Sequence, residues 1–84
     1  MTQREKRLAK IRNNPKNVHF DDLDRLLHDY GFERRQPKGG SSHYFYFLGD
    51  KRLTIPFKRP FVKAIYVKQV LSVLEGIDDE RENN

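Results

Sequence analysis

The chain has 84 residues, no cysteine and a formal net charge of +5 at pH 7. This length allows one modest core and no separate cofactor domain, since chains this short leave much of their surface exposed. Missing cysteine excludes disulfides and thiolate metal sites. No run approaches the ~20 apolar residues of a membrane span, and residues 2–7 lack a signal peptide's apolar segment, so a cytoplasmic protein is expected.

Residues 3–12 read as a short basic helix with Leu8 and Ile11 as its apolar pair, ended by Asn13-Asn14-Pro15 because the residue before proline avoids helical geometry. Residues 1–17 are therefore expected to form a basic arm, mobile or lightly docked. A helix over 20–30 follows. Leu23, Leu26, Leu27 and Tyr30 fall at helical spacing on one face. Asp21, Asp22 and Asp24 crowd its start, where the dipole favours anions, and Gly31 stops it. His19 takes the N-cap place, and His28 lies off the apolar stripe as a surface residue.

Three antiparallel strands are expected next, over 32–36, 42–48 and 52–56, with a tight hairpin at Gly49-Asp50-Lys51. Strict alternation puts His43, Phe45 and Phe47 on one side of the second strand and Tyr44 and Tyr46 on the other. The phenylalanine side is the expected core side, which sets His43 at the rim of the core. After a basic loop over 57–65, a final helix over 66–75 buries Val67, Val70, Leu71 and Leu74. Gly76 is its stop, and residues 78–84 are an acidic, frayed tail. Two amphipathic helices need a surface for their stripes, and one sheet face supplies it. The expected fold is a two-layer α+β domain: helix, three antiparallel strands, helix, with the extra basic N-terminal helix or arm.

Charge is unevenly spread. Residues 34–68 hold nine Lys/Arg against Asp50 alone, whereas residues 69–84 hold Arg81 against five acids. A basic segment with interleaved aromatic rings (Tyr44, Tyr46, Phe57, Phe61, Tyr66) points to nucleic acid, because unpaired bases stack on exposed rings. The same segment carries His43 just after the turn Lys38-Gly39-Gly40-Ser41-Ser42. Histidine titrates nearest neutrality and is the usual general acid or base. By position alone it reads more readily as a packing residue, because isolated histidines are common and catalytic ones few.

The Leu-rich helix ending Tyr30-Gly31-Phe32, Ser42-His43 before an aromatic strand, then Thr54-Ile55-Pro56-Phe57 and a Val/Leu helix resemble the HicA family of bacterial toxins. The likeness covers about residues 18–77. The family hallmark is Gly-Ser-His; this chain has Gly40-Ser41-Ser42-His43, one residue longer. It has Lys58 where the family often has a second histidine, and Tyr66-Val67 where a Gly-Thr pair is common. The resemblance implies a fold like the double-stranded RNA-binding domain, mRNA cleavage with His43 as catalytic residue, and neutralisation by a HicB-type antitoxin.

Cleavage of that kind needs little. RNA carries its own nucleophile, the 2′-hydroxyl, so a base, phosphate-facing cations and a grip on the strand suffice. His43 is the base. Lys38, Arg52, Lys58, Arg59 and Lys63 are the expected RNA-binding cations, and Gly40, Ser41 and Ser42 the turn supporting the site. No metal, small-molecule cofactor or membrane partner is expected. The alternative is a non-catalytic double-stranded-RNA-binding module, which needs no fixed histidine; a protein-interaction adaptor would leave the basic segment unexplained.

Overall fold

A computed structural model of the chain describes residues 2–35 and 42–82. The element order is α1 (Gln3–Asn13), α2 (Phe20–Asp29), β1 (Glu33–Arg35), β2 (His43–Leu48), β3 (Lys51–Pro56) and α3 (Ala64–Glu82). The strands form one antiparallel sheet in the order β1-β2-β3, so the protein is α+β. Among the described residues no helix is long and apolar enough to cross a membrane.

Local chemistry explains the boundaries. Thr2 caps α1 by accepting from the Glu5 backbone N–H at 3.1 Å. At the end of α2, Gly31 has φ +97°, its N–H donates to the His28 carbonyl, and the Phe32 N–H donates to the Leu27 carbonyl at 3.0 Å. Those two bonds satisfy carbonyls that the helix end would otherwise orphan, and the left-handed turn they require suits glycine. Between β2 and β3 the chain reverses through Gly49 and Asp50, with Leu48 paired to Lys51. Gly49 has φ +60°, the geometry in which a two-residue hairpin takes glycine first.

The core lies between the helices and one sheet face. Leu23, Leu26, Leu27 and Tyr30 of the α2 side pack with Tyr46, Leu53 and Ile55 from the sheet and Val67, Val70, Leu74 and Ile77 from α3. Ile11 of α1 is 2% exposed and belongs to the same cluster. Arg7 is also ion-paired with Asp29, so the basic N-terminal segment is docked against α2 rather than mobile.

Two expectations need correcting. Gly76 does not stop the last helix: α3 continues through it to Glu82, because Ile77 prolongs the buried stripe of Val70 and Leu74. Residues 78–82 of the expected frayed tail are thus helical and held, with Asp78 accepting from the Tyr30 hydroxyl at 2.7 Å and Glu80 paired with Lys51 at 3.6 Å. The faces of β2 are also reversed. Tyr46 is fully buried and Tyr44 packs against the core, so His43, Phe45 and Phe47 occupy the opposite face, His43 exposed and the two phenylalanines half-buried.

Candidate active site

Tyr46 reaches the core because α2 meets its hydroxyl. The hydroxyl donates to Asp24 Oδ1 at 2.7 Å, and Arg34 of β1 donates to the same oxygen at 3.1 Å. Asp24 also faces His28, whose Nδ1–H donates to the Asp24 backbone carbonyl at 2.8 Å. Burial, followed by the bond to Asp24, pushes the Tyr46 phenol far above its ordinary value of 10. A phenol so placed stays protonated and serves as a strut.

His43 stands at the other face. It begins β2, is exposed, and pairs in register with Pro56. The residue before it, Ser42, accepts at its carbonyl from the Phe57 N–H at 2.7 Å. That bond ties the start of the His43 strand to the foot of the basic loop carrying Lys58 and Arg59. The loop is pinned at both ends. Phe57 packs edge-on to Phe20 at 5.0 Å and tilted to Tyr44 at 6.2 Å. Further along, the His19 Nδ1–H donates to the Pro60 carbonyl at 2.9 Å, His19 lies against Phe61 at 4.9 Å, and the Val62 N–H donates to the Val18 carbonyl at 2.9 Å.

Between these pins is an open hollow of about 410 Å³ lined by His19, Asp21, Phe57, Arg59 and Pro60. The Arg59 guanidinium rests 5.3 Å from the centre of the Phe57 ring. Because His19 commits Nδ1–H to a carbonyl, its neutral ring turns Nε2 into an acceptor. The sequence places His19 at a helix start and carries no sign of this role, which depends on a loop 41 residues away.

The expected site residues separate into groups. Ser42 and His43 lie at the end of the β2–β3 ladder from which the loop bearing Lys58 and Arg59 departs, tied to its foot by the Ser42–Phe57 bond. The Arg59 guanidinium lies over the Phe57 ring, which packs against Phe20 and Tyr44 rather than on the His43 face. Arg52 shares the open face but pairs with Phe47 at the other end of that ladder, about 13 Å from His43 along the strand. Lys63 lies beyond the pinned loop, where its carbonyl accepts from the Tyr66 and Val67 N–H groups at the foot of α3. Lys38, Gly40 and Ser41 lie outside the described residues. No protein-family model, curated protein or solved structure matches the chain. Among the described residues no cluster of three or more His, Asp or Glu side chains is arranged to hold a metal ion.

Sequence reasoning missed the open aromatic face itself. Phe45 and Phe47 belong neither to the buried core nor to the apolar side chains packed against it. Arg35 lies 5.4 Å and Arg52 5.7 Å from the Phe47 ring centre. The signal was present as alternation, but alternation alone does not say which side faces the helices.

Proposed function

We propose that this chain is a metal-independent endoribonuclease of the HicA type, a bacterial toxin that cleaves mRNA with His43 as its base. On this reading its helix–sheet–helix layer is a variant of the double-stranded RNA-binding fold, and it works in the cytoplasm. The observation that carries the reading is the exposed His43 at the start of β2, bonded through its neighbour Ser42 to the foot of the loop bearing Lys58 and Arg59.

The chemistry follows from that placement. Neutral His43 takes the proton of a ribose 2′-hydroxyl as its oxygen attacks the adjacent phosphorus. The P–O bond to the 5′ oxygen breaks, leaving a 2′,3′-cyclic phosphate. The leaving oxygen takes a proton from water, and the hydroxide so formed takes the proton held by His43, which restores the neutral base. Lys58 and Arg59 offset negative charge on the phosphate as it develops. RNA supplies the nucleophile, so neither a covalent intermediate nor a metal-bound water is required. A HicB-type antitoxin is the expected partner. It would present acidic groups to the same loop and compete with RNA there.

The test compares purified wild-type and His43→Ala chains on RNA in excess chelator. A positioned acid–base group contributes ~10²–10⁴-fold, so His43→Ala should lose cleavage by that factor. Its circular dichroism should be unchanged, because the side chain is exposed. Full cleavage by the variant overturns the assignment. Duplex binding by both chains with cleavage by neither would make the protein a non-catalytic double-stranded-RNA-binding module.

A further inference from the structure

The open face of the sheet combines features that a duplex reader does not need. Residues directly opposite in antiparallel strands share a face. The register therefore places His43, Phe45 and Phe47 of β2 beside Arg35 and Glu33 of β1 and Arg52, Thr54 and Pro56 of β3. Phe45 and Phe47 are successive same-side residues, which spaces their attachment points about 7 Å apart. Both side chains are half-buried, yet neither takes part in the core, so a core-forming role does not explain two phenylalanines there. The Arg35 and Arg52 guanidiniums both rest over the Phe47 ring, and Glu33 is the acid among the described residues of this face.

We propose that this face is a stacking platform for unpaired RNA, with Phe45 and Phe47 each receiving a base and Arg35 and Arg52 holding the flanking phosphates. Charge complementarity commits the occupant to a polyanion, and the paired rings commit it to one whose bases are exposed. Duplex RNA hides its bases in the stack and offers this face only phosphates and grooves. An exposed cation–ring contact is weaker than base–ring stacking. An incoming base therefore displaces a guanidinium from the Phe47 face, and the freed arginine turns to the phosphate beside that base. His43 begins the strand bearing both rings, two residues before Phe45. A strand laid along β2 thus leads its ribose toward the histidine. The inference deepens the nuclease reading by naming the form of RNA that enters, and rests on that reading only for what happens at His43.

The experiment separates the two. Fluorescence anisotropy of a labelled 12-nucleotide single strand, and of the same sequence as a duplex, is measured with the His43→Ala chain so that nothing is cut. In that background Phe47→Leu keeps an apolar side chain without a π-face, and Phe47→Tyr keeps the ring. Loss of one stacked base weakens binding by roughly 5- to 150-fold, and that loss is expected for Phe47→Leu and again for Phe45→Leu, on the single strand alone. Phe47→Tyr should stay near the parent. Equal affinity of parent and both leucine variants for the single strand overturns the platform, as does equal or tighter binding of the duplex. A concentration-dependent dimer that either leucine substitution abolishes would assign the face to a second copy of this chain and also overturn it. Ring-dependent single-strand binding beside an inactive wild-type chain would keep the platform and remove the nuclease; cleavage with ring-independent binding would do the reverse.

Discussion

Replacing Tyr46 by Phe removes one oxygen from a fully buried side chain and leaves its packing volume nearly unchanged. What is lost is the 2.7 Å bond to Asp24. A hydrogen bond to a charged group contributes ~1.5–3 kcal/mol net. Asp24 keeps Arg34 at 3.1 Å and its side chain is 17% exposed, so water replaces part of the loss and the expected cost is about 1–2 kcal/mol. In an 84-residue domain that lowers Tm by roughly 5–15 °C. Thermal unfolding by far-UV circular dichroism at neutral pH measures it. A second reading comes from alkaline conditions. The folded state holds the Tyr46 proton more tightly than the unfolded chain, and Tyr30 likewise: burial, then its bond to Asp78, pushes that phenol up to about 12. The stability from raised folded values is complete below the unfolded phenol value near 10 and is lost as pH rises through the folded values. Tyr46→Phe should therefore lower Tm at neutral pH and reduce the further drop between neutrality and about pH 10.5. A Tm within about 2 °C of wild type at neutral pH would refute the strut, since it would mean that water satisfies Asp24 as well as the phenol does.

Two of the three described glycines, none of them crowded, should respond in opposite directions in the same thermal assay. Gly31→Ala meets only Leu48 Cδ1 at an ordinary 3.6 Å but must hold φ +97°, which costs ~1–2 kcal/mol. Gly76→Ala has nothing within 4 Å of its new methyl in the middle of α3 and should stabilise by about 0.5–1 kcal/mol; destabilisation there would contradict the continuous helix. For RNA binding, Lys58→Ala combined with Arg59→Ala should weaken affinity for all sequences alike. The log–log salt slope should flatten by up to about 1.4 if both contact phosphate on a single strand. An unchanged slope in anisotropy titrations would move the phosphate path away from the loop.

Where the sequence was decisive, its residues acted locally. The stripe of α2 and its glycine stop need only neighbours within a turn, and both stand in the structure as read. The hairpin at Gly49-Asp50 is equally local. The errors arose where a distant partner decides. Gly76 has the look of a stop until Ile77 is seen buried against the rest of the core. Phenylalanine is more apolar than tyrosine, so composition favours the Phe side of β2 as core; the carboxylate of Asp24, 22 residues away, supplies the hydroxyl partner that lets tyrosine take that place. Within the candidate site, His43 and the loop cations were legible as residue types. Their attachment through Ser42 and Phe57, the pinning by His19 and the separation of Arg52 from His43 all depend on register and long-range contacts.

The alternation Tyr44-Phe45-Tyr46-Phe47 has a consequence for how the sheet chooses its alignment. Both sets are aromatic and of similar size, so packing alone would let β2 sit with either side inward. A slip of one residue would turn phenylalanines toward α2 and leave Asp24 without its phenol, in partial burial beside Arg34 and His28. It would also expose two tyrosines and draw His43 toward the core. One carboxylate on a helix thereby discriminates between two near-equivalent threadings of the strand, and it does so for a pattern whose hydrophobicity carries little information about register. The same device that keeps Tyr46 inside keeps both phenylalanine rings and His43 outside.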